Sequence, residues 1–310
     1  MAVKNLYIET PLLEMLYDVP AGARVRFKME AYQPCGSFKL RGMECICRDA
    51  AASGSKAFMT TSGGNAGLAM TYVARALGYP ATVVVPESTP PATVDKLRRC
   101  GAEVKVHGES YAEAHAYALS IKDEATTYVP SYDHPKLWEG HSSMIDELKE
   151  QCPEKPDLIV VSVGGGGLFS GVMEGLVRNG WEDVRVIAVE TRGAASLYDS
   201  VKAGKLVTLG KIDSIATSLG AKTVTPKALE YAQNYNVTPF LVSDAEAALA
   251  TVRFVDEYRS LVEPACGASL AVVFGHPELI AGHKNVVVIA CGGVNSGLAD
   301  IEAYKKKYSA

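Results

Sequence analysis

The sequence has no apolar run approaching the roughly 20 residues a bilayer-crossing helix needs, which excludes a helical membrane span. It has no surplus of basic residues. The 31 Lys and Arg are outnumbered by 35 Asp and Glu, for a net charge of −4, so no basic face for nucleic acid is advertised. It lacks a disulfide framework: the seven cysteines at 35, 45, 47, 100, 152, 266 and 291 are odd in number and irregular in spacing. They read as reduced thiols in a cytoplasmic protein. Met1–Thr10 lacks a charged start followed by an apolar stretch and does not read as a signal peptide. Internal repeats, low-complexity tracts and long charge runs are missing too. So are a metal-ligand cluster, a G-x-S-x-G elbow and a glycosidase-like carboxylate pair.

What is present is a chain of 310 residues, 48% hydrophobic and 21% charged, which suits two globular domains. Strand-like runs are Val25–Met29, Lys56–Thr60, Ala81–Val85, Glu103–Val106, Leu158–Val163, Val184–Val189 and Val286–Ala290. Several are almost wholly Val, Ile and Ala, as for strands covered on both faces. Helical patterns lie between them at Asn65–Leu77, Thr89–Arg99, Tyr111–Asp123, Lys136–Gln151, Leu168–Arg178 and Asp244–Tyr258. This alternation predicts an α/β fold with largely parallel sheets. The polar, proline-containing Cys152–Asp157 marks a loop and a candidate domain edge. The three lysines of Tyr304–Tyr308 suit a last helical turn.

Four segments carry chemistry. In Pro34–Gly42 (PCGSFKLRG) a turn and a capping serine place Lys39 in the first turn of a helix, between Phe38 and Leu40. A positive helix end and apolar neighbours disfavour the charged amine, and a neutral amine is a nucleophile toward carbonyls. The competing reading is a snorkelling surface lysine. Thr60–Gly67 (TTSGGNAG) joins a strand to a helix and suits a carboxylate or phosphate, through backbone N–H groups with Ser62 and Asn65 as extra donors. An ordinary capped turn explains it equally well. Val163–Leu168 (VGGGGL) holds four consecutive glycines, which are entropically costly and best explained by a backbone wrapped around an oxyanion. No Lys-Ser/Thr follows, so it is not a P-loop. Forcing Gly164 and Gly166 onto G-x-G-x-x-G puts Phe169 in the last place; only Glu190, about 20 residues on, keeps some weight on a dinucleotide site. Val286–Ser296 (VVVIACGGVNS) ends a buried strand at Cys291, where open α/β sheets bind ligands, although a buried structural thiol explains it as well. Among the histidines, His107 and His115 read as surface residues. His141, in Trp138–Met144, sits like a site residue on a turn entering a helix, or is simply a helix-start histidine. A nucleophilic lysine, two anion turns and a strand-end thiol together match what pyridoxal phosphate requires.

GSFKLRG, TTSGGNAG, WEGHSS, SVGGGGL, ETRGA, SLGAKTV, LVEPACGA and CGGVNS follow one another in this order across nearly the whole chain. The sequence thereby resembles the fold type II pyridoxal-phosphate enzymes, specifically the short L-serine/L-threonine dehydratases. The resemblance implies two open, twisted, mostly parallel sheets with helices on both faces. It implies a large cofactor-binding domain from residues 1–42 and 136–310, and a small inserted domain, 43–135, closing over the cleft. Lys39 would form a Schiff base with the cofactor aldehyde and later act as general base. Phe38 would pack on the ring, Asn65 would bond its 3′-oxygen, and Cys291 would face its nitrogen. Gly164, Gly165, Gly166 and Gly167, with the N–H of Leu168, would hold the phosphate. Ser62, Gly63, Gly64 and Asn65 would take the substrate carboxylate. A monovalent cation, potassium or sodium, would lie among Glu190 and backbone oxygens of Gly164, Ala194, Leu219 and Ala221. L-Serine would give pyruvate and ammonia, and L-threonine 2-oxobutanoate and ammonia. Racemisation, β-replacement and a non-catalytic amino-acid-binding role are the rivals.

A cytoplasmic homodimer that binds neither membrane nor nucleic acid is the implied assembly. The resemblance also implies no isoleucine control, because no regulatory domain follows. Ser218 and Gly63 depart from the alanines that relatives carry there, which leaves the rate and the preference between serine and threonine open.

Overall fold

The computed structural model describes residues 4–17 and 22–309. The first residues of the expected non-signal segment Met1–Thr10, and Ala310, lie outside the described residues. Among the described residues ten strands follow one another: β1 (Leu12–Glu14), β2 (Arg24–Lys28), β3 (Ala57–Thr60), β4 (Ala81–Val85), β5 (Glu103–Val106), β6 (Thr126–Tyr128), β7 (Leu158–Ser162), β8 (Arg185–Thr191), β9 (Val237–Val242) and β10 (Asn285–Ile289). They fall into two compact units. The smaller holds the described residues up to Ile8, with Gln33–Cys35 and Lys39–Gly140; the larger holds Glu9–Tyr32, Gly36–Phe38 and the chain from His141 onward. The α/β expectation with two mostly parallel sheets holds.

The larger unit carries a six-stranded sheet in the order β1-β2-β10-β7-β8-β9, parallel except for the β1–β2 pair. β7 and β10 lie inside it and are buried along nearly their whole length. That is why LIVVS and NVVVI read as continuous apolar runs rather than alternating ones. From β7 the chain builds outward through β8 to β9, then returns to insert β10 on the other side of β7. The sheet order reverses there, and the crevice beyond the carboxyl ends of β7 and β10 is the natural ligand position. Under the sheet Phe27 meets Phe254 and Tyr258 edge-on at 5.3 and 5.0 Å between ring centres. The helix Asp244–Tyr258 starts with a full capping box between Ser243 and Glu246.

The smaller unit has a four-stranded, all-parallel sheet, β5-β4-β3-β6. Its core gathers Leu40, Met43, Met70, Val73, Val83 and Leu137.

Several local expectations change. β9 contains Pro239 and was not anticipated, because proline argues against a strand. It pairs only with β8, and an edge tolerates the missing N–H. β1 and β6 are three residues each, too short for a periodicity signal. Cys152–Asp157 is a loop inside the larger unit; the division between units falls at Gly140 and His141. His141 lies within the helix Pro135–Gln151 and is fully buried, not on a turn entering it. His115 is half-buried and its Nδ1 is 2.9 Å from the Tyr128 hydroxyl.

Candidate active site

In the larger unit, β7 ends at Ser162, and Gly164–Gly166 lead into the helix Gly167–Arg178. Gly166 caps that helix at φ +93°, with no side chain bonded to its first turn. The carbonyls on this turn are used: Gly165 accepts from Thr225 N–H at 3.0 Å and Gly166 from Ser170 N–H at 2.8 Å. The N–H groups are not used. From Gly164 through Leu168 they donate to no acceptor among the described residues. Consecutive orphan donors at a helix start form a cradle with the chemistry a phosphate needs. The cradle has no room for side chains. A Cβ on Gly164 would lie 3.0 Å from the Ser218 carbonyl, and one on Gly166 would lie 2.6 Å from the Ala228 Cβ. The donor set and its close walls fit the phosphate of pyridoxal phosphate.

The neighbouring strand end carries Cys291. Its carbonyl accepts the Phe38 N–H at 3.2 Å, Ser37 bridges to Gly292, and Gly293 N–H donates to Gly36 O at 2.8 Å. The segment Gly36–Phe38 is thus pinned beside Cys291, and the half-buried Phe38 ring stands edge-on to His141 at 4.9 Å. The neighbouring Cys266 thiol, burial and the negative charge of Glu263 hold the Cys291 thiol well above its usual range, so it stays neutral.

The Ser218 hydroxyl accepts from Asn295 Nδ2 at 3.0 Å. Both line a cavity of about 140 Å³ together with Ile215, Glu263 and Tyr304. Glu190, at the end of β8, is buried, and its two oxygens accept from Leu197 N–H at 2.8 Å and Tyr198 N–H at 2.7 Å. Burial pushes its pKa up to about 8 and the nearby Asp199 charge adds to this, against the lowering by the two N–H donors. Ala194 is buried near the end of the same strand, and the Leu219 carbonyl accepts from Ala221 N–H at 2.8 Å. Among the described residues no three His, Cys, Asp or Glu side chains gather as a metal site.

In the smaller unit Lys39 opens the helix Lys39–Ala52, as its spacing predicts, with Leu40 fully buried behind it. Its Nζ donates to the Ser131 carbonyl at 2.5 Å. Beyond β3, Ser62, Gly63 and Gly64 are half-buried and Asn65 is buried at the start of the helix Asn65–Leu77. The cap there is Gly64, not a serine, and the helix start has no side-chain cap. The N–H groups of Ser62, Gly63 and Gly64 donate to nothing among the described residues, which makes a second, smaller anion turn. Thr61 was not anticipated. It is buried, and its hydroxyl has no partner among the described residues. A threonine beside a glycine turn was the only signal, and it is a weak one.

The family model for "pyridoxal-phosphate dependent enzyme" matches residues 3–292. The chain is 46% identical over 318 aligned residues to the human L-serine dehydratase/L-threonine deaminase, covering 99% of this chain and 97% of that one. It is 43% identical to a human serine dehydratase-like protein, covering 96% and 94%. Among solved structures, the L-serine ammonia-lyase of the fungus Rhizomucor miehei superposes with a TM-score of 0.90 at 38% identity, covering 98% of this chain and 100% of that one.

Proposed function

The chain belongs to the pyridoxal-phosphate dependent enzymes, and from that premise we propose that it is a lyase of fold type II, an L-serine/L-threonine dehydratase. It converts L-serine to pyruvate and ammonia, and L-threonine to 2-oxobutanoate and ammonia; the water lost at the β-carbon is returned when the released enamine hydrolyses and gives up its nitrogen. The observation that carries this reading is the row of unused N–H donors from Gly164 to Leu168, beside a strand end that presents a neutral thiol.

When bound, pyridoxal phosphate supplies an aldehyde for amines and a ring that accepts electrons from the substrate's α-carbon. The protein does the rest. Lys39 would offer the amine that holds the aldehyde, and its freed Nζ would be the base for the substrate's α-proton. Gly164–Gly167 and the Leu168 N–H take the phosphate. Phe38 covers one ring face and Asn65 donates to the 3′-oxygen. Cys291 would set an uncharged thiol toward the ring nitrogen, and unlike an aspartate it supplies no negative charge to hold that nitrogen protonated. Ser62, Gly63 and Gly64, with Asn65, hold the substrate carboxylate on the second anion turn.

The same reading places potassium or sodium at Glu190 and the backbone oxygens of Gly164, Ala194, Leu219 and Ala221. Each Glu190 oxygen keeps a lone pair beside the one its N–H bond uses. It makes residues 43–135 the smaller domain and 1–42 with 136–310 the cofactor-binding one, and the protein a cytoplasmic homodimer. None of the seven cysteines is joined in a disulfide, which suits a reducing compartment.

The test is L-serine with cofactor-loaded enzyme, followed for pyruvate and D-serine together. Pyruvate should dominate, and Lys39→Ala should abolish both it and the visible absorbance of bound cofactor. Dominant D-serine would overturn the elimination assignment. An unaltered spectrum in Lys39→Ala would overturn the role of that lysine.

A further inference from the structure

The helix Pro264–Gly275 is entered through Glu263, a buried residue in the cap position. Its carbonyl serves the helix, accepting from Cys266 N–H at 2.8 Å and Gly267 N–H at 3.0 Å. Its side chain makes no bond to the helix's first turn. It reaches instead to the turn after β10, where Oε2 accepts the Asn295 N–H at 3.2 Å. A Cβ on Gly293 would collide with the Glu263 carboxyl, so that group lies directly against the glycine backbone. Gly292 and Gly293 hold φ of +84° and +121°, and two adjacent glycines have little conformational preference of their own. The shape of this turn therefore depends on what grips it. Gly293 N–H donates to Gly36 O at 2.8 Å, Ser37 bridges to Gly292, and the Cys291 carbonyl accepts the Phe38 N–H. The turn is thus held between Glu263 and the segment Gly36–Phe38. The cap itself is anchored. Ser269 Oγ donates to the Cys266 carbonyl at 2.9 Å and the Ile289 carbonyl at 3.2 Å, and Ser269 N–H donates to Ser162 Oγ at 3.2 Å, which ties the start of the helix to β10 and to the end of β7.

Taking a carboxyl group out of water is costly unless its oxygens are bonded. An acceptor of fixed reach, standing on an anchored helix, holds its partner backbone in place and aims whatever that backbone carries. We propose that Glu263 is a positioning residue: from the start of the helix it grips the turn after β10 and so fixes the backbone that bears Cys291 and pins Phe38. This rests on the reading that Phe38 and Cys291 meet the cofactor ring. Glu263 acts through the turn and touches no reacting atom. Its length matters, because a side chain one methylene shorter on the same anchored cap leaves Asn295 N–H without its acceptor and opens a gap against Gly293. The glycine pair then relaxes, and Phe38 and Cys291 move with it. A small misplacement of groups that line a reacting centre costs rate out of proportion to its size.

The experiment uses cofactor-loaded enzyme and the variants Glu263→Ala, Glu263→Asp and Glu263→Gln, with Phe38→Leu and Cys291→Ala as controls. The readouts are the visible circular dichroism of the bound cofactor, the Kd for pyridoxal phosphate added to stripped enzyme, and the split of kcat from KM for L-serine. Glu263→Ala should change the dichroism and weaken cofactor binding about tenfold, near the lower worth of a hydrogen bond to a charged group. It should lower kcat with little change in KM. Glu263→Asp keeps the carboxyl but not the reach and should fall with alanine. Glu263→Gln keeps the reach and an acceptor oxygen and should lie closer to wild type than either. The reverse order, aspartate near wild type and glutamine impaired, would make charge rather than reach the working property and overturn the proposal. A role limited to stability would lower the melting temperature of Glu263→Ala and leave dichroism, Kd and kcat as in wild type. If that occurs while either control alters the dichroism, the proposal fails and the reading of the ring contacts stands. If both controls leave dichroism and affinity as in wild type, that reading fails and takes the proposal with it. Should Glu263→Ala not fold, Glu263→Asp decides: altered dichroism and weaker binding support the positioning role, and wild-type values overturn it.

Discussion

Gly166→Ala tests the phosphate cradle most directly. Gly166 holds φ +93°, and an alanine Cβ there would meet Ala228 Cβ at 2.6 Å, Thr225 Oγ1 at 3.0 Å and Val224 Cγ2 at 3.0 Å. The left-handed backbone costs an L-residue about 1–2 kcal/mol, and the forced contact adds about 1–3 kcal/mol. Together that is about 2–5 kcal/mol, a large part of the roughly 5–15 kcal/mol that holds a typical protein folded. The strain has a defined route out. Thr225 Oγ1 caps the helix Pro226–Asn234 by accepting Ala228 N–H at 3.1 Å, so a loop that backs away from the new methyl misplaces its own donors or loosens that cap. Gly180→Ala is the control: its φ is +68° with nothing within 4 Å of an added Cβ, so it bears the backbone cost alone. Denaturant unfolding should rank the two, Gly166→Ala falling further. Titration with pyridoxal phosphate and with pyridoxal, which lacks the phosphate, should separate fold from cradle. Gly166→Ala should lose at least about tenfold in affinity for the former, equal to 1.4 kcal/mol, and little for the latter. Equal losses for both ligands, or none, would refute the assignment of these N–H groups to phosphate.

Three further outcomes follow from the geometry. Glu190 has a folded pKa of about 8 against an ordinary 4.5, so the folded state binds the extra proton between those values. Its contribution to stability is full below about pH 4.5 and is lost as pH rises through about 8. In cation-free buffer the melting temperature should therefore decline from pH 6 to 9, more steeply than in Glu190→Gln; parallel curves would refute it, and potassium should oppose the decline by favouring the ionised carboxylate. Gly63→Ala sets a methyl 3.2 Å from Thr89 Cγ2 and 3.4 Å from Val85 Cγ1. If the threonine methyl yields those few tenths of an ångström, reduced freedom of the unfolded chain should raise stability by about 0.4–1 kcal/mol, read by urea unfolding. Ser218→Ala removes the bond to Asn295 Nδ2 and should leave the Kd for pyridoxal phosphate within twofold of wild type, because the hydroxyl is directed at the amide; a larger change would place it against the ring.

The sequence made the interior strands legible because β7 and β10 are buried on both faces and so carry no polar residues to blur the run. β9 was illegible for the opposite reason: an edge position excuses a proline that a central strand could not hold. Lys39 opens a helix as expected, because the turn and the apolar neighbours that signal a helix start are adjacent in the chain, although the residue directly before the helix is Phe38 and not the expected capping Ser37. What it bonds to was hidden. The Ser131 carbonyl lies 92 residues away, and a backbone acceptor leaves no mark on residue type. Cys266 was equally hidden, since nothing local separates a thiol beside another thiol from one in plain apolar packing. His141 misled because the turn expected before it is helix already from Pro135, and its neighbour Phe38 is distant in sequence.

This division follows from which atoms do the holding. In the larger unit the unused donors at this turn are backbone N–H groups, a property of every residue but proline, so they leave no mark on residue type. What shows is the missing Cβ. Gly164 and Gly166 are required by the Ser218 carbonyl on one side and the Ala228 methyl on the other, at 3.0 and 2.6 Å from where a Cβ would stand. A glycine run in a buried loop costs unfolded-state entropy that selection does not tolerate without return. The return here is donors brought closer to a ligand than any side chain would allow. A site built this way resists change of substrate chemistry at its cradle. Within the larger unit, what remains for side chains is the wall around the turn, of which the buried Cys291 is part.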